Sequence, residues 1–260
     1  MRIQQIYAVY FSPTENTRRI VCQGASEAAR LFQVPCRAIS LNLPKDRETV
    51  HTFSAGDLVI VGGPTYAGKL PNKILPTYQE KLIGKGALAM AVVTYGNRSF
   101  DNSLAELCAT LDGNGFRTVA AGAFVGTHAF SDVLAPDRPD KDDLALMVRL
   151  TDMAVSKIRQ TDGMVPRLVV DGDAKAPYYV PKGVDGQPAK FLKAKPKTDL
   201  EKCVSCGLCA RQCPMVWVPS TRTSRPSLRA SASSVSAACA TARMAPSIST
   251  TLPFYPMSRC

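Results

Sequence analysis

Apolar residues in the first two thirds of the chain fall into two alternating patterns. Short apolar runs occur at IYAVYF (6–11), DLVIVGGP (57–64) and ALAMAVVTYG (87–96), and PCRAISL (35–41) and TVAAGAFVG (118–126) read as further strands. Near-continuous runs of this length fit strands buried on both faces. Between them lie stretches with apolar residues at helical spacing: 14–32, 72–84, 100–115 and 141–160. Pro76 inside the second predicts a kinked helix, and the glycines of DGNG (112–115) predict the end of the third. Strand–helix alternation with apolar strands predicts an α/β domain over residues 1–162. Its five-stranded parallel sheet is covered on both faces, with strand order 2-1-3-4-5.

The pattern then breaks twice. Residues 163–198 are rich in Pro, Gly and Lys and read as a linker or wrapping segment. Residues 199–216 hold the run CVSCGLCARQCPMV, with cysteines at 203, 206, 209 and 213. From 217 to 260 Ser, Thr, Ala and Pro dominate, arginine is the sole charged residue type, and Asp, Glu and Lys are absent. That tail has too little apolar content to fold alone and reads as disordered or translated out of frame.

Composition narrows the class. The chain has 260 residues, 45% of them hydrophobic, enough for one large and one small domain. The start resembles a strand rather than a signal peptide, and no apolar run reaches the ~18 residues that span a bilayer. The expectation is a cytoplasmic protein, not a membrane one, in which spaced cysteines are metal ligands before they are disulfides. The net charge of +11 gives either a solvated basic face or a docking surface for an acidic partner. No nucleic-acid-binding motif accompanies it, so nucleic acid is not expected.

The cysteine spacing C-x2-C-x2-C-x3-C-P is that of bacterial ferredoxins, whose fourth cysteine ligates a different cluster from the first three. Three consecutive hooks favour iron–sulfur over zinc, which pairs two separated C-x2-C hooks. Cys203, Cys206, Cys209 and Cys213 are the candidate metal ligands. A second run should follow, but only Cys239 and Cys260 do. Either the tail is out of frame, or a single cluster takes Cys213 or Cys239 as its fourth ligand. Cys22, Cys36 and Cys108 read as small core side chains.

Three loops follow strands at one sheet edge. In YFSPTENTRRI, Ser12, Thr14, Asn16 and Thr17 converge on a helix start. That arrangement is either a plain cap or a phosphate seat. GGPTYAGKLP (62–71) contributes Pro64, Thr65, Tyr66 and Gly68, and VTYGNRSFD (93–101) contributes Tyr95, Gly96 and Asn97. The tyrosines offer faces for a planar ring, and Gly62, Gly63, Gly68 and Gly96 offer close backbone approach; the alternative is ordinary turn glycines and core-edge tyrosines.

SPTENT resembles the flavodoxin phosphate loop, Ser/Thr-x-Thr-Gly-Asn-Thr. PTYAGKLP and YGNRSFDNSLAEL resemble the second and third flavin loops. With FVGTHAFS (124–131) and APDRPDKDDL (135–144), the chain over residues 3–216 resembles the EFR-type ferrodoxin family, fusions of a flavodoxin-like domain to a bacterial-type 4Fe-4S ferredoxin domain. The resemblance implies FMN, [4Fe-4S] clusters and electron transfer in an anaerobic cytosol, with a ferredoxin, flavodoxin or reductase as redox partner. It also makes the ferredoxin domain incomplete. One departure stands out: Glu15 replaces the glycine of the phosphate loop, adding a Cβ and a negative charge that opposes a phosphate unless it points to solvent.

Electron transfer between FMN and a [4Fe-4S] cluster is thus the first functional expectation. A flavin-dependent reductase of a quinone or of NAD(P)H is the second, with His128 as candidate catalytic proton donor, although a lone loop histidine is more often structural. In that reading Lys69 and Arg98 offer charge to a reduced ring or substrate anion, unless they are simply solvated. A redox sensor is the third. The oligomeric state is not written in the sequence.

Overall fold

A computed structural model describes residues 2–131, 133–182, 185–188 and 206–215. Five parallel strands, β1 (Gln5–Tyr10), β2 (Cys36–Ser40), β4 (Asp57–Pro64), β6 (Leu88–Tyr95) and β7 (Arg117–Val125), form one sheet in the order β2-β1-β4-β6-β7. Counted along this sheet, that is the expected 2-1-3-4-5 order of the flavodoxin-like fold. The order reverses between β1 and β4, so their carboxyl ends flank the crevice where such sheets bind ligands.

The central strands are buried on both faces, which explains their unbroken apolar sequences. On one face lie α1 (Asn16–Phe32) and α4 (Lys141–Gln160), around Ile6, Ala8, Ile20, Ile60, Met90 and Met147. A Cβ on Gly24 of α1 would stand 2.1 Å from the Met147 methyl carbon, so this glycine sets how closely the two helices approach. On the other face, α2 (Leu75–Lys81) and α3 (Ser103–Gly113) cover Val9, Phe11, Val59, Val61, Tyr78, Leu107 and Leu111. The start of α4 is fixed by a capping box: Asp140 accepts from the Asp142 and Asp143 amides, and Asp143 accepts from the Asp140 amide. Arg138 is paired with Asp143 and, with burial opposing, this holds the Asp143 carboxyl below its usual pKa.

One expectation needs correction. The 72–84 stretch is not one kinked helix. Pro76 lies in the first turn of α2, where its missing N–H costs nothing, and the helix ends at Lys81. Residues Leu82–Lys85 form β5 instead, pairing in parallel with β3 (His51–Ser54) as a small second sheet. The apolar spacing was shared by the two elements and hid the boundary.

Of the two readings of residues 163–198, the stretch 163–182 behaves as the wrapping segment and is held against the domain. The Leu168 amide donates to Thr118 O at 2.8 Å, Arg117 donates to Val165 O, and Val165 is buried. The segment passes α3, where the Asp173 amide donates to Asn102 Oδ1, and reaches the carboxyl edge of the sheet.

Candidate functional site

The chain from Ser12 to Thr17 links β1 to α1. Glu15 stands immediately before the helix at φ 66°, in the left-handed region that favours glycine. Its carboxylate forms an ion pair with Arg18, and both side chains are over 40% exposed. The added negative charge is therefore turned outward and compensated within one helical turn. The Ser12 hydroxyl accepts from the Arg18 amide at 2.9 Å. Thr14 has no hydrogen bond through its hydroxyl among the described residues, and the amides of Asn16 and Thr17 belong to the first turn, where helix geometry leaves donors without intrahelical acceptors.

The loop is held from both sides. Asn42, just past β2, accepts from the Ser12 amide at 2.6 Å and donates to Ser12 O at 3.1 Å. Thr17 is buried, and its hydroxyl meets that of Thr94 on β6 at 2.7 Å. Asn16 donates to Thr127 O at 3.3 Å and so reaches the GTHAFS loop. Asn42 belongs to none of the three loops and Thr94 lies at the start of the third, and only the folded sheet edge brings them to the first.

In the second loop, Tyr66 and Lys69 bond reciprocally through their backbones, with Ala67 at φ 49° and Gly68 at φ 79° as the turn residues. Pro64 ends β4, and the Thr65 hydroxyl lies 2.7 Å from that of Ser103. In the third loop, Tyr95 packs edge-on against Phe100 with ring centroids 5.5 Å apart, and Asn97 is exposed at φ 60°. The Asn102 amide donates to Gly68 O, joining the two loops.

The glycines serve the protein itself. A Cβ on Gly62 would lie 2.4 Å from Val21, and one on Gly63 2.7 Å from the Tyr78 hydroxyl. On Gly68 it would meet the Asp101 carboxylate at 2.5 Å, and on Gly96 the His128 ring at 2.6 Å. Close internal packing thus favours glycine at all four positions, with or without a ring. His128 lies against the third loop, and its Nδ1 accepts from the Phe130 amide at 3.1 Å, so Nε2 carries the proton of the neutral ring.

Lys69 is not a free cation. It is 4% exposed, and its ammonium meets Glu106 at 3.0 Å, Ala174 O at 2.6 Å and Ala176 O at 2.9 Å. All three donors are used, and they fasten residues 174–176 over the second loop. Tyr178 donates to Leu70 O at 2.7 Å, and the Tyr179 amide to Ala67 O at 2.8 Å. Burial, with Glu106 nearby, pushes the Tyr178 phenol up to about 12. Arg98 pairs with Asp101 and stacks over the Tyr179 ring at 4.2 Å. Neither the Lys69–Glu106 pair nor this strap was visible as a motif.

The cysteine segment also reaches the same edge. Around a short helix, α5 (Leu208–Arg211), Cys206 and Cys209 are exposed, while Cys213 is 8% exposed and Pro214 is buried. Arg47 donates to Pro214 O at 2.8 Å. Burial lowers the Arg47 pKa, with Asp46 and Cys213 opposing that shift. Among the described residues no three His, Cys, Asp or Glu side chains gather as a metal site. Cys203, Cys239, Cys260 and the 217–260 tail lie outside those residues. Among the described cysteines of the run, Cys206 and Cys209 are thus open to solvent and Cys213 is not.

Comparison with known proteins agrees with the cysteine reading. Residues 196–216 match the family described as a 4Fe-4S binding domain. No curated protein matches the chain. Among solved structures, oxidised flavodoxin 2 from Bacillus cereus is similar at 16% identity, covering 59% of this chain and 99% of that one, with a TM-score of 0.44. A flavodoxin from the domain Archaea is similar at 15% identity over 60% of this chain and 100% of that one, with a TM-score of 0.39. An NADH:FMN oxidoreductase in its apo form is similar at 17% identity over 59% and 89% of the two chains, with a TM-score of 0.42. The chain thus joins a flavodoxin-like fold, defined by its own strand order, to a 4Fe-4S binding segment. No helix among the described residues is long and apolar enough to cross a membrane.

Proposed function

We propose that this protein passes electrons between FMN, bound at the carboxyl edge of the sheet, and a [4Fe-4S] cluster held by the cysteine segment. The observation that carries the reading is convergence. The Ser12–Thr17 loop, the Tyr66 and Tyr95 loops and the Cys206–Pro214 segment all meet at one edge of one sheet. A flavin exchanges electrons singly or in pairs, whereas a cubane takes them singly, so their union couples two-electron donors to one-electron carriers.

The chain's own residues divide the work. Thr14 and the first-turn amides of Asn16 and Thr17 receive the phosphate, Ser12 and Asn42 hold the loop open for it, and Arg18 keeps Glu15 away. Tyr66, Tyr95 and the backbone of Pro64, Thr65, Gly68, Gly96 and Asn97 border the ring. Cys203, Cys206 and Cys209 hold three corners of the cluster. The net charge of +6 that remains once the five tail arginines are set aside (11 − 5) suits docking of an acidic ferredoxin or flavodoxin, with a reductase as the alternative redox partner.

Within this reading, residues from about 217 are out of frame. The encoding DNA read in its other two frames is expected to contain a second cysteine run, and its absence from both would overturn that assignment. Anaerobic purification with iron, sulfide and flavin assays tests the whole proposal. About four irons and one flavin per chain support it, about eight irons contradict the reading of the tail, and absence of flavin defeats the proposal itself.

His128 supports a second reading, a flavin-dependent oxidoreductase. Its ring packs on Gly96 of the third loop, and the Phe130 amide fixes Nε2 as the proton-bearing nitrogen. Turnover of NAD(P)H with a quinone that is lost in His128→Ala, but kept in a control at exposed Arg149 of α4 (Arg149→Ala), would favour it over pure carriage.

A further inference from the structure

Arg47 ends a short 3-10 helix, Pro44–Arg47, that follows β2. Its guanidinium makes four contacts that join separate parts of the chain. Nη1 donates to Leu41 O at 3.0 Å and to Asn42 O at 2.8 Å. Nη2 donates to Pro214 O at 2.8 Å, across 167 residues of sequence. The Phe11 ring lies beneath it, 6.0 Å from the guanidinium carbon. Asn42, whose carbonyl it holds, is the residue that clamps Ser12 in the expected phosphate loop.

We propose that Arg47 is a positioning residue that seats the cysteine segment against the phosphate side of the flavin site and thereby sets the separation of flavin and cluster. The planar fork is suited to this role. It holds two adjacent carbonyls of the 41–42 turn with one nitrogen and the incoming segment with another, which a lysine's single ammonium does not reproduce. The carbonyl it captures follows Cys213, so the fourth cysteine is drawn into the protein wall while Cys206 and Cys209 stay outside. Because Asn42 is shared, the seat of the segment and the shape of the Ser12 loop are mechanically joined. The consequence for electron passage rests on the function proposed above; the seating itself does not.

Hydrogen exchange followed by mass spectrometry on the full chain with its cofactors tests the seating. In Arg47→Ala, the peptide covering 206–215 is expected to exchange about tenfold faster or more, while β6 keeps its protection. Arg47→Lys should not restore slow exchange, since it returns the charge without the fork. Arg47→Gln keeps an amide for the 41–42 turn and is the second variant should Arg47→Ala lose the sheet. Acceleration confined to 206–215 in either variant supports the proposal. Unchanged exchange there, or acceleration shared by β6 in both variants, overturns it. With flavin and iron contents equal to wild type, the rate of electron passage from flavin to cluster should fall in the same variants. If the wild type holds no flavin, the functional reading fails while the exchange result still decides the role of Arg47.

Discussion

Among the described residues the chain returns to the carboxyl edge of the sheet twice after α4, and the two returns are built differently. Residues 174–179 are fastened by the buried Lys69–Glu106 pair, two carbonyl contacts to Lys69, the Tyr178 hydroxyl, the Tyr179 amide and the Arg98–Tyr179 stack. Residues 206–215 reach the same edge through Arg47, whose hydrogen-bond partners are neutral carbonyls. In the first, a charge is buried with its counter-charge and spends every donor. In the second, a half-buried cation relies on dipoles and an aromatic face. The first is a fixed cover over the second loop; the second is a seat that one substitution can empty.

The largest expected effect lies on the first return. Lys69→Met leaves Glu106 buried without its cation, and breaking such a pair costs about 3–5 kcal/mol. Chemical denaturation should show it, and Lys69→Met combined with Glu106→Leu should recover much of the loss. Failure of the double variant to recover would mean that the carbonyls of Ala174 and Ala176, not the ion pair, dominate.

The corresponding change on the second return is smaller. Arg47→Ala should lower overall stability by about 1–2 kcal/mol, the worth of charge-assisted bonds at a partly solvated site. A loss equal to that of Lys69→Met would erase the distinction between the two returns.

Alkaline pH separates them further. The Tyr178 phenol titrates near 10 when unfolded and only at about 12 when folded, because burial disfavours the phenolate. A raised pKa means that its contribution is complete below pH 10 and is lost as pH climbs through the folded value. The strap side should therefore loosen between pH 10 and 12, and Tyr178→Phe should flatten that part of the stability curve measured by thermal unfolding. An unchanged slope would place the alkaline loss elsewhere, with the buried Tyr78 phenol as the next group to test.

The smallest effect falls on the phosphate side. Glu15→Gly relieves a left-handed side-chain residue but frees the unfolded chain, so the net gain should stay below about 1 kcal/mol. Added FMN should bind at least as tightly as to the wild type. Markedly weaker binding would show that the Glu15–Arg18 pair shapes the loop rather than merely clearing it.

Much of this was legible in the chain because it depends on short-range pattern. Apolar runs marked the five central strands, and the cysteine spacing marked the cluster segment. What escaped was of two kinds. Residues 72–85 look continuous because helix and strand share apolar positions, so only the pairing of β5 with β3 reveals the break. Asn42, Arg47 and Glu106 look like ordinary polar residues, since their partners lie 30, 167 and 37 positions away. The four glycines were visible in the sequence, but their internal neighbours, Val21, Tyr78, Asp101 and His128, were not.

The sequence by itself determined the layered α/β architecture, the loops that follow each strand, and the thiol chemistry of residues 203–213, because periodicity and ligand spacing are local properties. The tertiary structure alone decided that Lys69 is a buried latch rather than a free cation, that Glu15 is turned outward beside Arg18, and that Cys213 is drawn inward beside Arg47. Each of those outcomes depends on which distant group occupies the last few ångströms around a charge, and the cost of burying a charge makes that neighbour decisive.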